Sequence, residues 1–265
     1  MISFSKCLKL AIATSAGLTL CAQAAEAPKR IDIKQLSRNV EGVVVPLPNE
    51  VFGALNKLGG VNWREYVRNE KGSSFTERPR IALLLGSVIA DGFIAVQAED
   101  APTVKDIGQR VLKLAGGIGV GSSITGHAKA ITEAADKRNW AGVRQELDRT
   151  QNSVQRAMNE VGDEKLSQLV SLGGWLRGTE VLTSVVNHRF SEDGAELLRQ
   201  PDLVDYFHTR LQSMPEFNMK LLTDIQEALG QVRPMVDVGE GKVSPDSVKK
   251  INEITTRLDG EIVTR

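Results

Sequence analysis

The stretch that decides the fold is Leu83-Leu84-Leu85-Gly86-Ser87-Val88-Ile89-Ala90-Asp91-Gly92-Phe93-Ile94-Ala95-Val96. Its apolar side chains surround a helix on all sides instead of forming one apolar face, which is typical of a helix buried in the centre of a protein. We therefore predict a buried central helix over residues 80–99. A second, similarly apolar stretch predicts a matching central helix over residues 165–187.

The segments around these two stretches have the pattern of amphipathic helices. In residues 140–161, for example, apolar side chains recur at steps of three, four or seven residues, which predicts a helix with one apolar face. No alternating strand pattern of useful length appears. The sequence thus predicts an all-α fold, a multi-helix bundle around the two central helices. Residues 43–265 would form a single helical domain behind an exposed lead-in over residues 25–42.

Small residues recur four positions apart in both central helices. Gly86 and Ala90 form such a pair in the first helix, and Gly174 and Gly178 form one in the second. Residues four apart lie on the same face of a helix. We therefore predict a close crossing of the two helices at these positions.

The first 24 residues have the features of a secretory signal peptide. Two lysines precede an apolar run over residues 10–20, and Ala22-Gln23-Ala24 offers the small-x-small pattern that signal peptidase recognises. The apolar run is shorter than the roughly 20 residues that a membrane-spanning helix needs. We predict cleavage after about Ala24, a periplasmic or secreted protein, and no transmembrane span after the leader is removed.

Both cysteines, Cys7 and Cys21, lie in the leader, so the predicted mature chain has none. Disulfides, thiol nucleophiles and cysteine-ligated metals are thereby excluded. Lipidation at Cys21 is the alternative to ordinary cleavage, but the bulky Leu20 before it disfavours that interpretation. Removing the leader also removes two lysines from a chain with equal numbers of acidic and basic residues. The resulting slight excess of acidic charge argues against a nucleic-acid partner.

Asp91 is the most informative polar residue because almost every neighbour in its predicted helix is apolar. A buried carboxylate must be paired, hydrogen-bonded or protonated. Arg177 and Glu180 interrupt the second apolar helix in the same way, and their spacing of three puts them on one face. One hypothesis is that Asp91, Arg177 and Glu180 line a ligand pocket. The alternative, which we favour, is a structural ion pair that fixes the helix register.

No motif in the sequence specifies catalysis, a cofactor or a metal. His127, His188 and His208 are far apart and match no metal-binding spacing. The glycines over residues 116–121 lack the Lys-Ser/Thr ending of a phosphate-binding loop, so they indicate a helix end and a turn. We expect no catalytic residue, no cofactor and no metal site, and we favour a non-enzymatic protein.

Three segments carry a family resemblance over most of the chain, from Val43 to about Leu211. They are Val43-Val44-Val45-Pro46-Leu47-Pro48-Asn49-Glu50-Val51-Phe52, the run from Arg80 through Ala90-Asp91-Gly92, and Leu172-Gly173-Gly174-Trp175-Leu176-Arg177-Gly178. Together they resemble uncharacterised exported all-helical proteins of Gram-negative bacteria. The resemblance implies an exported helical protein and supplies no catalytic residue. If that group shares an aspartate in its first central helix, Asp91 is the matching position.

These observations together predict an exported helical binding or structural protein of the bacterial cell envelope. Its partner would be an unidentified envelope protein or a small ligand. The alternative is a periplasmic small-ligand-binding protein with a pocket near Asp91, Arg177 and Glu180.

Overall fold

The computed structural model describes residues 37–40, 43–46, 48–68 and 74–264, with side chains from Glu50 onward. The predicted signal peptide, its cleavage position, Cys21 and most of the predicted lead-in lie outside the described residues.

Helices make up nearly all of the described chain, which confirms the predicted all-α fold. In chain order the elements are β1 Ser37–Val40, β2 Val43–Pro46, α1 Pro48–Leu58, α2 Arg78–Gln97, α3 Ala101–Gly117, α4 Thr125–Asp136, α5 Trp140–Glu160, α6 Glu164–His188, α7 Glu192–Glu196, α8 Pro201–Gln212, α9 Lys220–Val236 and α10 Pro245–Val263. Short 3-10 turns occupy Trp63–Tyr66, Gly121–Ile124 and Pro215–Phe217.

The two predicted central helices, α2 and α6, are the centre of the bundle. They pack most extensively against each other, while α3 covers α2 and α10 covers α6. Every residue of α2 over positions 81–96 is buried. In length and composition α2 could also cross a membrane, but 89% of that apolar window is buried inside the protein. Its apolar surface is therefore covered by neighbouring helices, as expected for a core helix.

The crossing of α2 and α6 brings their backbones into contact through glycine. A Cβ atom added to Gly86 would lie 1.9 Å from the carbonyl oxygen of Val170, and one added to Gly173 would lie 2.0 Å from that of Leu83. The predicted close crossing is confirmed at Gly86, but Gly178 has open space around its Cβ position. The prediction also holds for Gly174, where an added Cβ atom would lie 3.4 Å from the carbonyl oxygen of Gly86, and the second close contact is made by its neighbour Gly173.

The hydrogen bonds at two helix ends show how the sequence sets them. The side chain of Ser244 accepts from the backbone N–H of Ser247 at the start of α10, and Pro245 follows as the first helical residue. The predicted end of α3 in the glycine segment is also confirmed, and Gly119 there has a φ of +90°. Left-handed backbone of this kind favours glycine because it has no Cβ atom.

Pro234, Gly239 and Gly241 together predict a loop before the last helix, and for Pro234 this prediction is wrong. It lies inside α9, two residues before the helix ends at Val236. A proline there removes one backbone hydrogen bond. The burial of Leu229, Val232 and Val236 on the same helix offsets that loss.

A small antiparallel pair, β1 and β2, precedes the helices, with Ser37 opposite Pro46 and Val40 opposite Val43. A proline biases the residue before it away from helix, and the chain is accordingly extended over Val43–Pro46. The pairing itself was not predicted, because four-residue strands are too short to show a recognisable alternation.

Candidate functional site

The three polar residues predicted to converge do lie together, at the interface of α2 and α6. The Nε atom of Arg177 donates to Oδ1 of Asp91 at 2.8 Å, and its Nη1 atom donates to Glu180. Only 3% of Asp91 and 4% of Arg177 are exposed. A role for these residues in ligand binding stays a prediction.

Three further residues complete this buried polar cluster, and the sequence analysis missed all of them. Arg68 donates from Nε to both carboxylate oxygens of Asp91, at 3.1 and 3.0 Å, and from Nη2 to Ser87 at 2.7 Å. Its Nη1 atom donates to Asp259 on α10. The hydroxyl group of Ser87 donates to the other oxygen of Asp259 at 2.8 Å. We call Arg68, Ser87, Asp91, Arg177, Glu180 and Asp259 the buried polar cluster.

One of the missed residues did leave a signal in the sequence. Asp259 interrupts the apolar face of α10, whose buried residues include Thr255, Leu258 and Ile262. The pattern is the same one that singled out Asp91. Arg68 left no such signal, because it follows a short 3-10 turn that has no helical periodicity.

The cluster joins four parts of the fold by charge-assisted hydrogen bonds. Both oxygens of Asp91 accept from guanidinium groups, and both oxygens of Asp259 have donors. Carboxylates that are satisfied in this way are held in place by the protein. The arrangement therefore ties α2, α6 and α10 to Arg68, which follows the Trp63–Tyr66 turn.

A cleft of about 350 Å³ opens next to this cluster, between the end of α1, the Trp63–Tyr66 turn and the end of α6. Its apolar lining consists of Leu55, Leu58, Val61, Val185, Val186 and Phe190. Its polar groups come from Asn62, Glu65, Tyr66, His188, Arg189 and Ser191. We call this feature the α1–α6 cleft. Its size and mixed lining are those of small-molecule sites in proteins.

Tyr66 connects the cleft to the buried polar cluster. Its backbone carbonyl accepts from Nη2 of Arg177 at 2.7 Å, so the cluster fixes the position of this cleft residue. Partial burial, together with the negative charges of Glu65 and Glu180, raises the pKa of the Tyr66 phenol above its usual value. A tyrosine hydroxyl is a hydrogen-bond donor at neutral pH, and Tyr66 is one of the residues that line the cleft.

Arg189 supplies a positive charge at the cleft. Its guanidinium lies against Gly59, since a Cβ atom added to that glycine would be 3.2 Å from Nη1 of Arg189. Arg189 is exposed, and none of the described residues forms an ion pair with it. This cation can therefore bind an acidic or polar group of a ligand.

Among the described residues, no group of three or more His, Cys, Asp and Glu side chains is placed to hold a metal ion. The histidines lie on three different helices, α4, α6 and α8.

No protein-family model matches this chain, and no curated protein or solved structure matches it either. The resemblance to exported all-helical proteins of Gram-negative bacteria consequently stays a prediction.

Proposed function

We propose that this chain is an exported ligand-binding protein of the bacterial cell envelope, and that the α1–α6 cleft is its small-molecule site. The observation that carries this proposal is the cleft itself, about 350 Å³ in volume with a mixed apolar and polar lining. Pockets for small ligands have mostly apolar walls and a few polar groups that orient the ligand.

The lining suggests the chemistry of the ligand. The aliphatic side chains of Leu58, Val61 and Val185 form an apolar surface, and Phe190 is 40% exposed at the cleft. Burying these groups against an apolar ligand would stabilise the complex. Arg189 would bind an anionic or strongly polar group of the same ligand. A compact, mainly apolar molecule with one acidic group fits both features.

In this proposal Asp91, Arg177 and Glu180 support the site instead of contacting the ligand. The oxygens of Asp91 are already occupied by Arg68 and Arg177. Opening these bonds for a ligand would expose uncompensated buried charges, at a cost of several kcal/mol. Their contribution to binding would be indirect, through the bond from Arg177 to the carbonyl of Tyr66.

A screen of small metabolites by thermal shift, followed by calorimetric titration of the hits, tests this function. We expect at least one carboxylate-containing apolar compound to stabilise the protein saturably. Arg189→Ala and Phe190→Ala should weaken that binding about tenfold or more without changing the melting temperature of the free protein. Arg257→Ala is the matched control, because Arg257 is an exposed arginine on α10 that forms a surface ion pair with Glu261. If Arg189→Ala and Phe190→Ala bound the compound as tightly as the wild type and the Arg257→Ala control, the cleft would not be the binding site.

Export is tested separately from ligand binding. After expression in a Gram-negative host, the intact mass of the protein in the periplasmic fraction should match a chain that begins at Ala25. A diacylglyceryl mass increment on a chain that begins at Cys21 would support lipidation instead, and an uncleaved cytoplasmic chain would contradict the signal-peptide interpretation.

A further inference from the structure

His127 links two residues of α5 in a hydrogen-bonded chain that lies outside the α1–α6 cleft. Its Nδ1 atom is 3.0 Å from Oε2 of Glu146, and its Nε2 atom is 2.9 Å from Oγ of Ser153. The histidine lies in the first turn of α4 and the other two residues lie on α5. Seven positions separate Glu146 and Ser153, which corresponds to two helical turns, so both face α4.

The direction of the hydrogen bonds follows from the acid at one end. Burial raises the pKa of Glu146, but hydrogen bonds with His127 and Arg149 outweigh it, so that the net pKa lies below its usual value. An ionised carboxylate can only accept hydrogen bonds, so Nδ1 of a neutral His127 must carry the proton. Its Nε2 atom is then an acceptor, and the hydroxyl group of Ser153 donates to it.

This is the arrangement of a serine nucleophile, a histidine base and an orienting acid. All three groups can be reached by solvent, since 24% of the His127 side chain and 15% of the Glu146 side chain are exposed and Ser153 is half-buried. Such triads are recognised by their geometry and not by a local motif, so no short stretch of the sequence indicates this one.

We propose that Ser153, His127 and Glu146 form a second functional site that hydrolyses esters, with Ser153 as nucleophile, His127 as general base and Glu146 as the residue that positions it. The substrate class is an ester of a short acyl group with a hydrophilic alcohol. This activity goes beyond the proposed ligand binding and does not depend on it.

The polar side chains next to Ser153 along α5 suggest this substrate class, since Asn152 precedes it and Arg156 follows three positions later. An open depression on the adjacent surface of α5 is lined by amide and charged side chains, those of Asn152, Gln155, Arg156, Asn159 and Glu160. A polar alcohol can form hydrogen bonds with this surface, whereas a long acyl chain would have no apolar side chains of this depression to pack against.

In this proposal Arg156 supplies the donor that stabilises the developing oxyanion. Ser153 lies inside α5, so its own backbone N–H is used by the helix and a side chain must supply the donor. Arg156 follows three residues later and therefore lies near Ser153 on the same side of the helix. It is exposed, and none of the described residues pairs with it. A guanidinium donor at this position would stabilise the charge that develops on the carbonyl oxygen.

The reaction would proceed in two steps, acylation of Ser153 and hydrolysis of the acyl-serine. Oγ of Ser153 forms a bond to the ester carbonyl carbon while its proton moves to Nε2 of His127. The carbon–oxygen bond to the alcohol then breaks, and the same proton leaves with the alcohol. A water molecule, deprotonated by His127, attacks the acyl-serine, releases the carboxylic acid and returns the proton to Oγ.

A fluorophosphonate probe tests the nucleophile directly. The mature protein should gain one adduct, and peptide mass spectrometry should place it on Ser153. Ser153→Ala should abolish the adduct, and His127→Gln should reduce the labelling rate at least tenfold. Ser123→Ala is the matched control, because Ser123 is an exposed serine just before α4 with no part in the triad. Melting temperatures establish that each variant is folded.

Hydrolysis of p-nitrophenyl acetate, compared with p-nitrophenyl octanoate, tests the activity and the substrate class. We expect the acetate to be preferred and its turnover to be lost in Ser153→Ala. Glu146→Gln should lower kcat at least tenfold with little change in KM, an effect that a merely structural role would not produce. Absence of an adduct on Ser153 in the folded protein, or equal turnover by the wild type and Ser153→Ala, would overturn the proposal.

Discussion

Gly86 of α2 lies in direct backbone contact with Val170 of α6, so close that a Cβ atom on Gly86 would come within 1.9 Å of the Val170 carbonyl oxygen. Two central helices can approach this closely only where one of them carries no side chain. The fold therefore depends on glycine here for space, independently of backbone conformation.

Alanine at Gly86 or Gly173 should force the two central helices apart. Overpacking against backbone atoms cannot be relieved by a change of rotamer, so we expect each substitution to lower the free energy of unfolding by about 3 kcal/mol or more. For a chain of this size that corresponds to roughly 6–12 °C in melting temperature. Thermal unfolding followed by circular dichroism measures the effect.

Gly178→Ala is the control for these variants. The same helix carries this glycine, but no atom of another element lies within 4 Å of its Cβ position. Alanine has the higher helix propensity, so stability should stay equal or rise by up to about 1 kcal/mol. If Gly86→Ala were as stable as Gly178→Ala, this would contradict the close backbone contact at Gly86.

Breaking the bond between Asp91 and Arg177 should destabilise the protein strongly. Asp91→Asn removes a charge that holds two guanidinium groups, and Arg177→Ala leaves Asp91 and Glu180 without their shared partner. Removing one member of a buried pair costs about 3–5 kcal/mol. Denaturant unfolding should show this loss in both variants. The exposed pair of Arg257 and Glu261 provides the comparison, since its removal should cost no more than about 1 kcal/mol. Unchanged stability in both buried variants would contradict the pairing.

Arg68 should couple the Trp63–Tyr66 turn to α10 through Asp259. We expect Arg68→Met and Asp259→Asn each to destabilise the protein, and the double variant to lose less than the sum of the two. A double-mutant cycle measured by chemical unfolding gives this coupling energy. Arg64→Met is the control, because Arg64 is an exposed arginine in the same turn. Strict additivity of the two buried substitutions would show that Arg68 and Asp259 do not interact.

Glu146 should make stability depend on pH in the acid range. The hydrogen bonds from His127 and Arg149 lower its pKa in the folded protein, despite the opposing effect of burial. A group with a depressed folded-state pKa stabilises the protein above its unfolded-state pKa, which is about 4.3 for Glu. This contribution is lost as the pH falls through the lower, folded-state value.

The measurement for Glu146 is the melting temperature as a function of pH. Glu146→Gln should be less stable than the wild type at pH 7, and the difference should shrink as the pH falls below about 4. Glu133→Gln on α4 is a suitable control, because Glu133 forms only an exposed pair with Lys129. A difference that stays constant across the whole pH range would show that Glu146 contributes no charge interaction.

A residue of the buried polar cluster could be predicted from the sequence only if it differed in polarity from its neighbours in the same helix. Asp91, Arg177 and Glu180 were visible because each interrupts an apolar helix, and Asp259 could have been found in the same way. Ser87 also interrupts an apolar helix, but its uncharged hydroxyl group does not demand a charged partner, and Arg68 carries no such contrast. The α1–α6 cleft could not be predicted either, since the end of α1 meets the end of α6 only after the chain has folded.

The hydrogen bonds of His127 with Glu146 and Ser153 could not be predicted from the sequence either. His127 and Ser153 are 26 positions apart, and neither belongs to a local motif. Their contact arises because α4 and α5 pack against each other. Sequence spacing within one helix predicts which residues share a face, but not which face of another helix will meet it.

The sequence by itself determined the helical class of this protein and the burial of α2 and α6, because apolar periodicity is a local property that dictates which surfaces must leave water. Only the tertiary structure decided which polar groups share that interior. Arg68 and Asp259 are 191 positions apart, yet both bond within one cluster around Asp91. The physical reason is that a buried charge must find a partner, and the packing of the helices determines which partner is within reach.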